Sequence, residues 1–160
     1  MVCMPSHEVL TLYRAAAAAG VRLWVDGGWC VDALVGEQTR EHDDLDVAVD
    51  RDDLAALVLV LNTAGYRRQS TDASTDWNFV MFDGVGRQVD IHVFHFDTGG
   101  RHVYGVAYPR ESLQGSGVIA GEEVQCITAG SMYQFKTAYE PAAKDLADIR
   151  QLLRLLSYES

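Results

Sequence analysis

The sequence predicts a mixed α/β domain with several β-hairpins, and three observations lead there. Apolar residues recur at helical spacing in several segments, including both ends of the chain, and with period two in the segments between. Short glycine-bearing turns separate some of the period-two runs, as in hairpins. Neither a GxGxxG nor a GxxxxGK[ST] loop occurs, and the order of elements is not a run of regular βαβ units.

Each element has its own local cause. Val9, Leu12, Tyr13 and Ala16 follow i, i+3, i+4, i+7, which predicts a first helix over about 6–19, ended by Gly20. A short strand, 22–26, runs into Gly27 and Gly28, which turn the chain into a helix over about 29–35 that Gly36 stops. After a polar loop, "DLDVAV" alternates with period two and reads as a strand over 44–49. Leu54, Leu57, Val58 and Leu61 mark the next helix, closed by Gly65. "YRRQS", "WNFVMFD" and "RQVDIHVFHFD" read as strands, the last two joined by a turn at Gly84, Val85 and Gly86, and "HVYGVAY" as one more. Residues 117–128 form a hairpin turning near Gly121 and Glu122. Two helices finish the chain, about 131–139 and 142–156, with Pro141 between them and Leu146, Ile149, Leu153 and Leu156 striping the second. Residues 1–160 are read as one domain, with a core over about 20–95 and an acceptor-side hairpin and C-terminal helices over about 96–156.

Composition narrows the function classes. The 160 residues carry 23 acidic and 13 basic side chains, a formal charge of −10. That balance disfavours a nucleic acid as partner, since backbone binding relies on clustered Lys and Arg. It favours a cationic substrate or a metal ion, or the acids serve only solubility. No apolar run reaches the roughly 18 residues of a membrane span, and the N-terminal stretch lacks signal-peptide features. No membrane association and a cytoplasmic location are therefore expected. Cys3, Cys30 and Cys126 form no CxxC pair, so free thiols are expected.

The chemistry concentrates in "VDGGWCVDALVGEQTREHDDLDVAVD". Glycine lets backbone approach a ligand closely, and the N–H groups of a helix starting there suit a phosphate. A plain strand-to-helix turn would need the same glycines. Strand alternation puts Asp44 and Asp46 on one face, roughly 6–7 Å apart, with Leu45, Val47 and Val49 toward the core. Two such carboxylates can hold one or two Mg²⁺ ions, or form a solvated acidic face. Asp43 has the opposite parity and reads as a turn acid. In "QVDIHVF", Asp90 and His92 point away from Val89, Ile91 and Val93. If this strand lies beside 44–49, Asp90 joins the pair. Three acids on one sheet face are costly without cations, and with Mg²⁺ they make a two-metal phosphoryl-transfer site with Asp90 as base. His92 and His95 differ by three and face opposite ways on a strand, which disfavours a histidine metal cluster with His102.

"GGW" opening a helix, "REHDDLDVAVD" and "VDIHVF" together resemble the polymerase-β-like nucleotidyltransferase superfamily. More narrowly, the region from Trp24 to Asp50 is similar to the small antibiotic nucleotidyltransferases that modify lincosamides. The aminoglycoside 2″-nucleotidyltransferases share much of it. "FKTAYEPAAKDLADI" looks closer to the lincosamide branch and "GVIAGEEVQC" to the aminoglycoside branch.

The resemblance implies a polymerase-β-like nucleotidyltransferase fold: a mixed β-sheet flanked by helices, with C-terminal helices. It implies transfer of AMP from ATP, with Mg²⁺ (two ions), onto a hydroxyl of a small antibiotic, lincosamide first and aminoglycoside as the alternative. Gly27 and Gly28 match the phosphate-side turn, Asp44 and Asp46 the metal-binding pair, and Asp90 the third carboxylate, a metal ligand and the base. Arg40 and His42 match an R-x-H segment near the triphosphate, and Lys136 a basic residue that reaches the phosphates, with Lys144 a weaker candidate. From the residues themselves, His92 reads either as part of the acceptor pocket beside Asp90 or as a plain polar sheet residue, and Tyr139 either as a side chain that stacks on a ligand or as part of a helix end. The stretch 94–116 aligns with neither branch. Two further readings are a toxin-like nucleotidyltransferase acting on protein or tRNA, and a silent interaction module. A homodimer is expected to complete the acceptor pocket, with Trp77, Phe79, Phe94 and Tyr108 either as interface material or claimed by core packing.

Overall fold

The computed structural model describes residues 2–159. The elements are α1 (Ser6–Ala18), β1 (Trp24–Asp26), α2 (Gly27–Val35), β2 (Asp44–Asp50), α3 (Leu54–Thr63), β3 (Arg67–Gln69), β4 (Asn78–Phe82), β5 (Gln88–Phe96), β6 (His102–Gly105), β7 (Gly115–Ile119), β8 (Glu122–Cys126), α4 (Ala129–Thr137) and α5 (Ala143–Glu159). Short 3₁₀ turns, Arg51–Asp53 and Arg110–Gln114, precede α3 and β7. Among the described residues no helix is long and apolar enough to cross a membrane.

The strands build one mixed sheet in the order β3-β4-β5-β2-β1-β8-β7, with β6 pairing β5. The antiparallel pairs are β1/β2, β3/β4, β4/β5, β5/β6 and β7/β8, while β2/β5 and β1/β8 run parallel. β5 is long enough to serve two partners. Its first half pairs with β4 and its last residues with β6. The helices flank this sheet and two of them close the chain, as expected from the sequence.

The core follows from alternation. Leu45, Val47 and Val49 of β2, Val89, Ile91 and Val93 of β5 and Phe79 and Met81 of β4 are all buried. Val9, Leu12 and Ala16 of α1 and Leu57 and Leu61 of α3 pack into the same core. Cys30 and Cys126 are buried free thiols, and Cys3 is half-buried.

Some boundaries differ from local expectation. Gly27 and Gly28 do not precede α2 but form its first turn, because the Asp26 side chain accepts from the Gly27 N–H and caps the helix there. The 3₁₀ turn at 110–114 has no periodic signal in the sequence. Of the four aromatics that could serve an interface or the core, core packing claims Phe79, Phe94 and Tyr108, and Trp77 alone is exposed. Phe94 sits against Trp24, Phe96 and Tyr108 with ring centroids 5.6–5.7 Å apart.

Candidate active site

Register decides where the acids lie. β1 and β2 pair with Asp26 opposite Asp46, and β2 and β5 pair with Asp46 opposite Asp90. Directly opposed residues share a sheet face, so three carboxylates form a row across three strands. Asp44 follows two residues along β2 on the same face. Asp26, Asp44, Asp46 and Asp90 all line one cavity of about 610 Å³.

The glycine pair is required by what it touches. Gly27 has φ +61°, and a Cβ there would overlap the Asp46 carboxylate. A Cβ on Gly28 would run into the Arg40 guanidinium and the His42 ring. The first turn of α2 can therefore lie this close to Asp46, Arg40 and His42 only as Gly-Gly, and both glycines line the cavity.

The electrostatics are those of crowded acids. Burial, with repulsion from Asp46, Asp90 and Asp43, lifts the Asp44 carboxyl to about 7 against the opposing pull of Lys144. Burial also raises Asp90 and Asp26, with Asp46 adding to both and His92 opposing. For His92 burial disfavours the imidazolium, but Asp46, Asp90 and Asp26 outweigh it and bring the ring to about 9. Its Nε2 lies 3.5 Å from Asp46 Oδ1 and 3.7 Å from Asp90 Oδ1. His92 is thus a cation beside the acids at neutral pH. Ligand atoms of Asp46, Asp90 and His92 lie within 4.8 Å of one another, so with the ring in its neutral form the three could hold a metal ion.

Arg40 and Lys136 line the same cavity, together with the exposed Lys144. The Arg40 guanidinium donates to both oxygens of Asp148, from Nε at 3.0 Å and Nη2 at 2.8 Å. Lys136 Nζ lies 3.2 Å from Asp145 and 3.1 Å from Asp148. His42 is placed differently. Its ring is buried, bonded through Nε2 to Asp32 at 2.6 Å and stacked on Trp29, and it backs Gly28 instead of lining the cavity. Asp43 and Asp145 line the cavity too, and the rest of its wall is Val106, Ala107, Met132 and Phe135, with Tyr108 and Tyr139.

Five residues at this site escaped the sequence reading. Asp26 caps α2 and accepts the Tyr108 hydroxyl at 2.6 Å. Asn78 Nδ2 donates to Asp90 Oδ1 at 2.8 Å and approaches His92 Nδ1 at 3.3 Å. Asp145 and Asp148 hold the two cations. The spacing of Asp145 and Asp148, i and i+3 on a helix, was the one available signal, since it puts two acids on one face. Their turning inward also corrects the expected α5 packing: Leu146 and Leu153 of the leucine stripe remain 45% and 46% exposed.

A sequence model of the family described as aminoglycoside-2″-adenylyltransferase matches residues 8–152. A 2″-aminoglycoside nucleotidyltransferase of Escherichia coli is 39% identical over 64 residues, 36% of each chain. A lincosamide resistance protein of Staphylococcus haemolyticus is 43% identical over 47 residues, 29% of each chain. The chain thus spans about a third of the length of the curated relatives it matches. Among solved structures, a lincomycin-bound lincosamide antibiotic adenylyltransferase superposes with a TM-score of 0.83 at 21% identity, covering 96% of this chain and 99% of that one. ANT(2″)-Ia in complex with adenylyl-2″-tobramycin gives 0.77 at 23% identity, covering 96% and 90%. At these identities the superpositions establish the fold.

Proposed function

The chain belongs to the aminoglycoside-2″-adenylyltransferase family, and from that premise we propose that it transfers AMP from ATP to a hydroxyl of a small antibiotic. The observation that carries the proposal is the cavity in which Asp44, Asp46 and Asp90 share a wall with the Gly27-Gly28 helix start, while Arg40 and Lys136 line it too.

The residues divide the work. The N–H groups at the start of α2, with Arg40 and Lys136, take the triphosphate. Asp44, Asp46 and Asp90 offer hard oxygen ligands suited to Mg²⁺, and the burial that chiefly lifts Asp44 to about 7, together with repulsion from its neighbouring acids, is a cost that a divalent cation relieves. When bound, Mg²⁺ supplies charge neutralisation and polarisation at the α-phosphorus. Asp90, oriented by Asn78, accepts the hydroxyl proton, and its raised proton affinity favours that role. His92 faces the acceptor hydroxyl from beside Asp90. His42, being buried, acts by supporting Gly28 and Arg40.

A lincosamide is the first acceptor, supported by the apolar wall of Val106, Ala107, Met132 and Phe135. An aminoglycoside is the second, supported by the family match and by the excess of carboxylates in the cavity, which suits a polycation. The test is incubation with ATP, Mg²⁺ and both drug classes, read by mass spectrometry for a gain of one AMP. No adduct on any member of either class would sink the proposal.

A two-fold homodimer is part of the same reading, supported by the exposed Leu146 and Leu153 and by the prevalence of such dimers. Light scattering at micromolar concentration tests it. A fully active species with the mass of one chain would remove it.

A further inference from the structure

Helix α5 buries two acids on the face that carries its core leucines: Leu152 is fully buried and Leu156 packs against the core. Leu146 and Leu153 stay exposed while Asp145 and Asp148, 6% and 1% exposed, face inward. Burying a carboxylate is strongly unfavourable unless it is paired and hydrogen-bonded. Both Asp148 oxygens meet that condition, Oδ1 with Arg40 Nε and Oδ2 with Arg40 Nη2 and Lys136 Nζ. The two cations come from distant parts of the chain, the loop before β2 and helix α4.

Donor counts show that the cations are not used up. Arg40 also donates from Nη1 to the Glu41 carbonyl, and Lys136 also donates to Asp145. A guanidinium has five N–H donors and an ammonium three, so both keep donors for the cavity they line. Asp148 itself does not line the cavity and sits behind the cations, whereas Asp145 does line it.

We infer that Asp148 is a positioning residue. It clamps Arg40 and Lys136 into a preset cradle for the nucleotide's phosphates and stays in place when they bind. The inference rests on the nucleotidyltransferase reading above. A bidentate carboxylate fixes the plane of a guanidinium, and fixed donors need no reorganisation when the anion arrives. The rival role is a placeholder that occupies the phosphate position and is displaced. Its location behind the cations speaks against that.

Calorimetric titration of inorganic tripolyphosphate, with Mg²⁺ at fixed ionic strength, into wild type and Asp148→Asn separates the two. The clamp predicts binding weaker by about tenfold or more in the variant, although the variant raises the positive charge of the cavity. In turnover, KM for Mg-ATP should rise while the acceptor KM holds. Equal or tighter tripolyphosphate binding overturns the inference. If Asp148→Asn does not fold, the wild-type Arg40 Nε–H resonance decides: the clamp requires its slow exchange to persist at saturating tripolyphosphate, and its loss means displacement. A wild type that binds neither tripolyphosphate nor Mg-ATP overturns the nucleotidyltransferase reading and the clamp with it.

Discussion

Asp46 and Asp90 are register partners on adjacent parallel strands, so backbone hydrogen bonds hold two mutually repelling carboxylates side by side. Asp44 and Asp26 extend the group, and His92 is the cation closest to its centre. The sheet keeps in place an arrangement that the side chains alone would not choose. The predictions follow from that tension.

Asp44→Asn or Asp46→Asn should lower AMP transfer by several orders of magnitude while leaving the fold intact. Steady-state turnover and circular dichroism of each variant check this. Near-normal turnover in either would remove the metal pair from the mechanism.

Metal-free stability should fall as pH rises across the range set by Asp44. Its carboxyl holds a proton more tightly in the folded state, up to about 7, than in the unfolded chain. Folding is therefore favoured below the ordinary carboxylate range, and this contribution is lost as pH climbs to about 7. His92 acts in the same direction at higher pH, since its stabilising charge is lost as pH passes about 9. Asp44→Asn removes the first slope. Thermal unfolding in EDTA between pH 5 and pH 8 should show a flatter profile for the variant, and parallel profiles would refute the assignment.

Asp90→Asn should still bind Mg-ATP but fail to transfer AMP, because the base is gone while the phosphate contacts remain. Asn78→Ala should lower kcat by a smaller factor with KM for ATP unchanged, since Asn78 acts through Asp90. Loss of nucleotide binding in Asp90→Asn comparable to that in Asp44→Asn would make Asp90 chiefly a metal ligand.

Gly27→Ala should destabilise the protein by about 2 kcal/mol or more and disturb the acids. Alanine at φ +61° is strained, and its methyl group would overlap Asp46. Chemical denaturation measures the loss. A variant as stable as wild type would show that the α2 start relaxes without harm.

Much of this site was legible in the chain itself. Strand side chains alternate with period two, so Asp44 and Asp46 had to share a face once Leu45, Val47 and Val49 were buried; the same rule turned Asp90 away from Val89 and Ile91, but only the β2/β5 pairing set it beside Asp46. A glycine pair before a helix likewise announced a close approach. What lay across the acids was decided by the tertiary fold alone. Strand pairing is set by contacts between distant segments, so only the β1/β2 register adds Asp26 to the row, and only the β4/β5 register brings Asn78 to Asp90. The rotation of α5 was the least readable of all. Its stripe of Leu146, Ile149, Leu153 and Leu156 predicts one inward face, but the face that turns in carries Asp145, Asp148 and Leu152, because Asp148 between Arg40, 108 residues away in sequence, and Lys136 is a satisfied buried carboxylate, whereas leaving Leu146 and Leu153 exposed costs comparatively little.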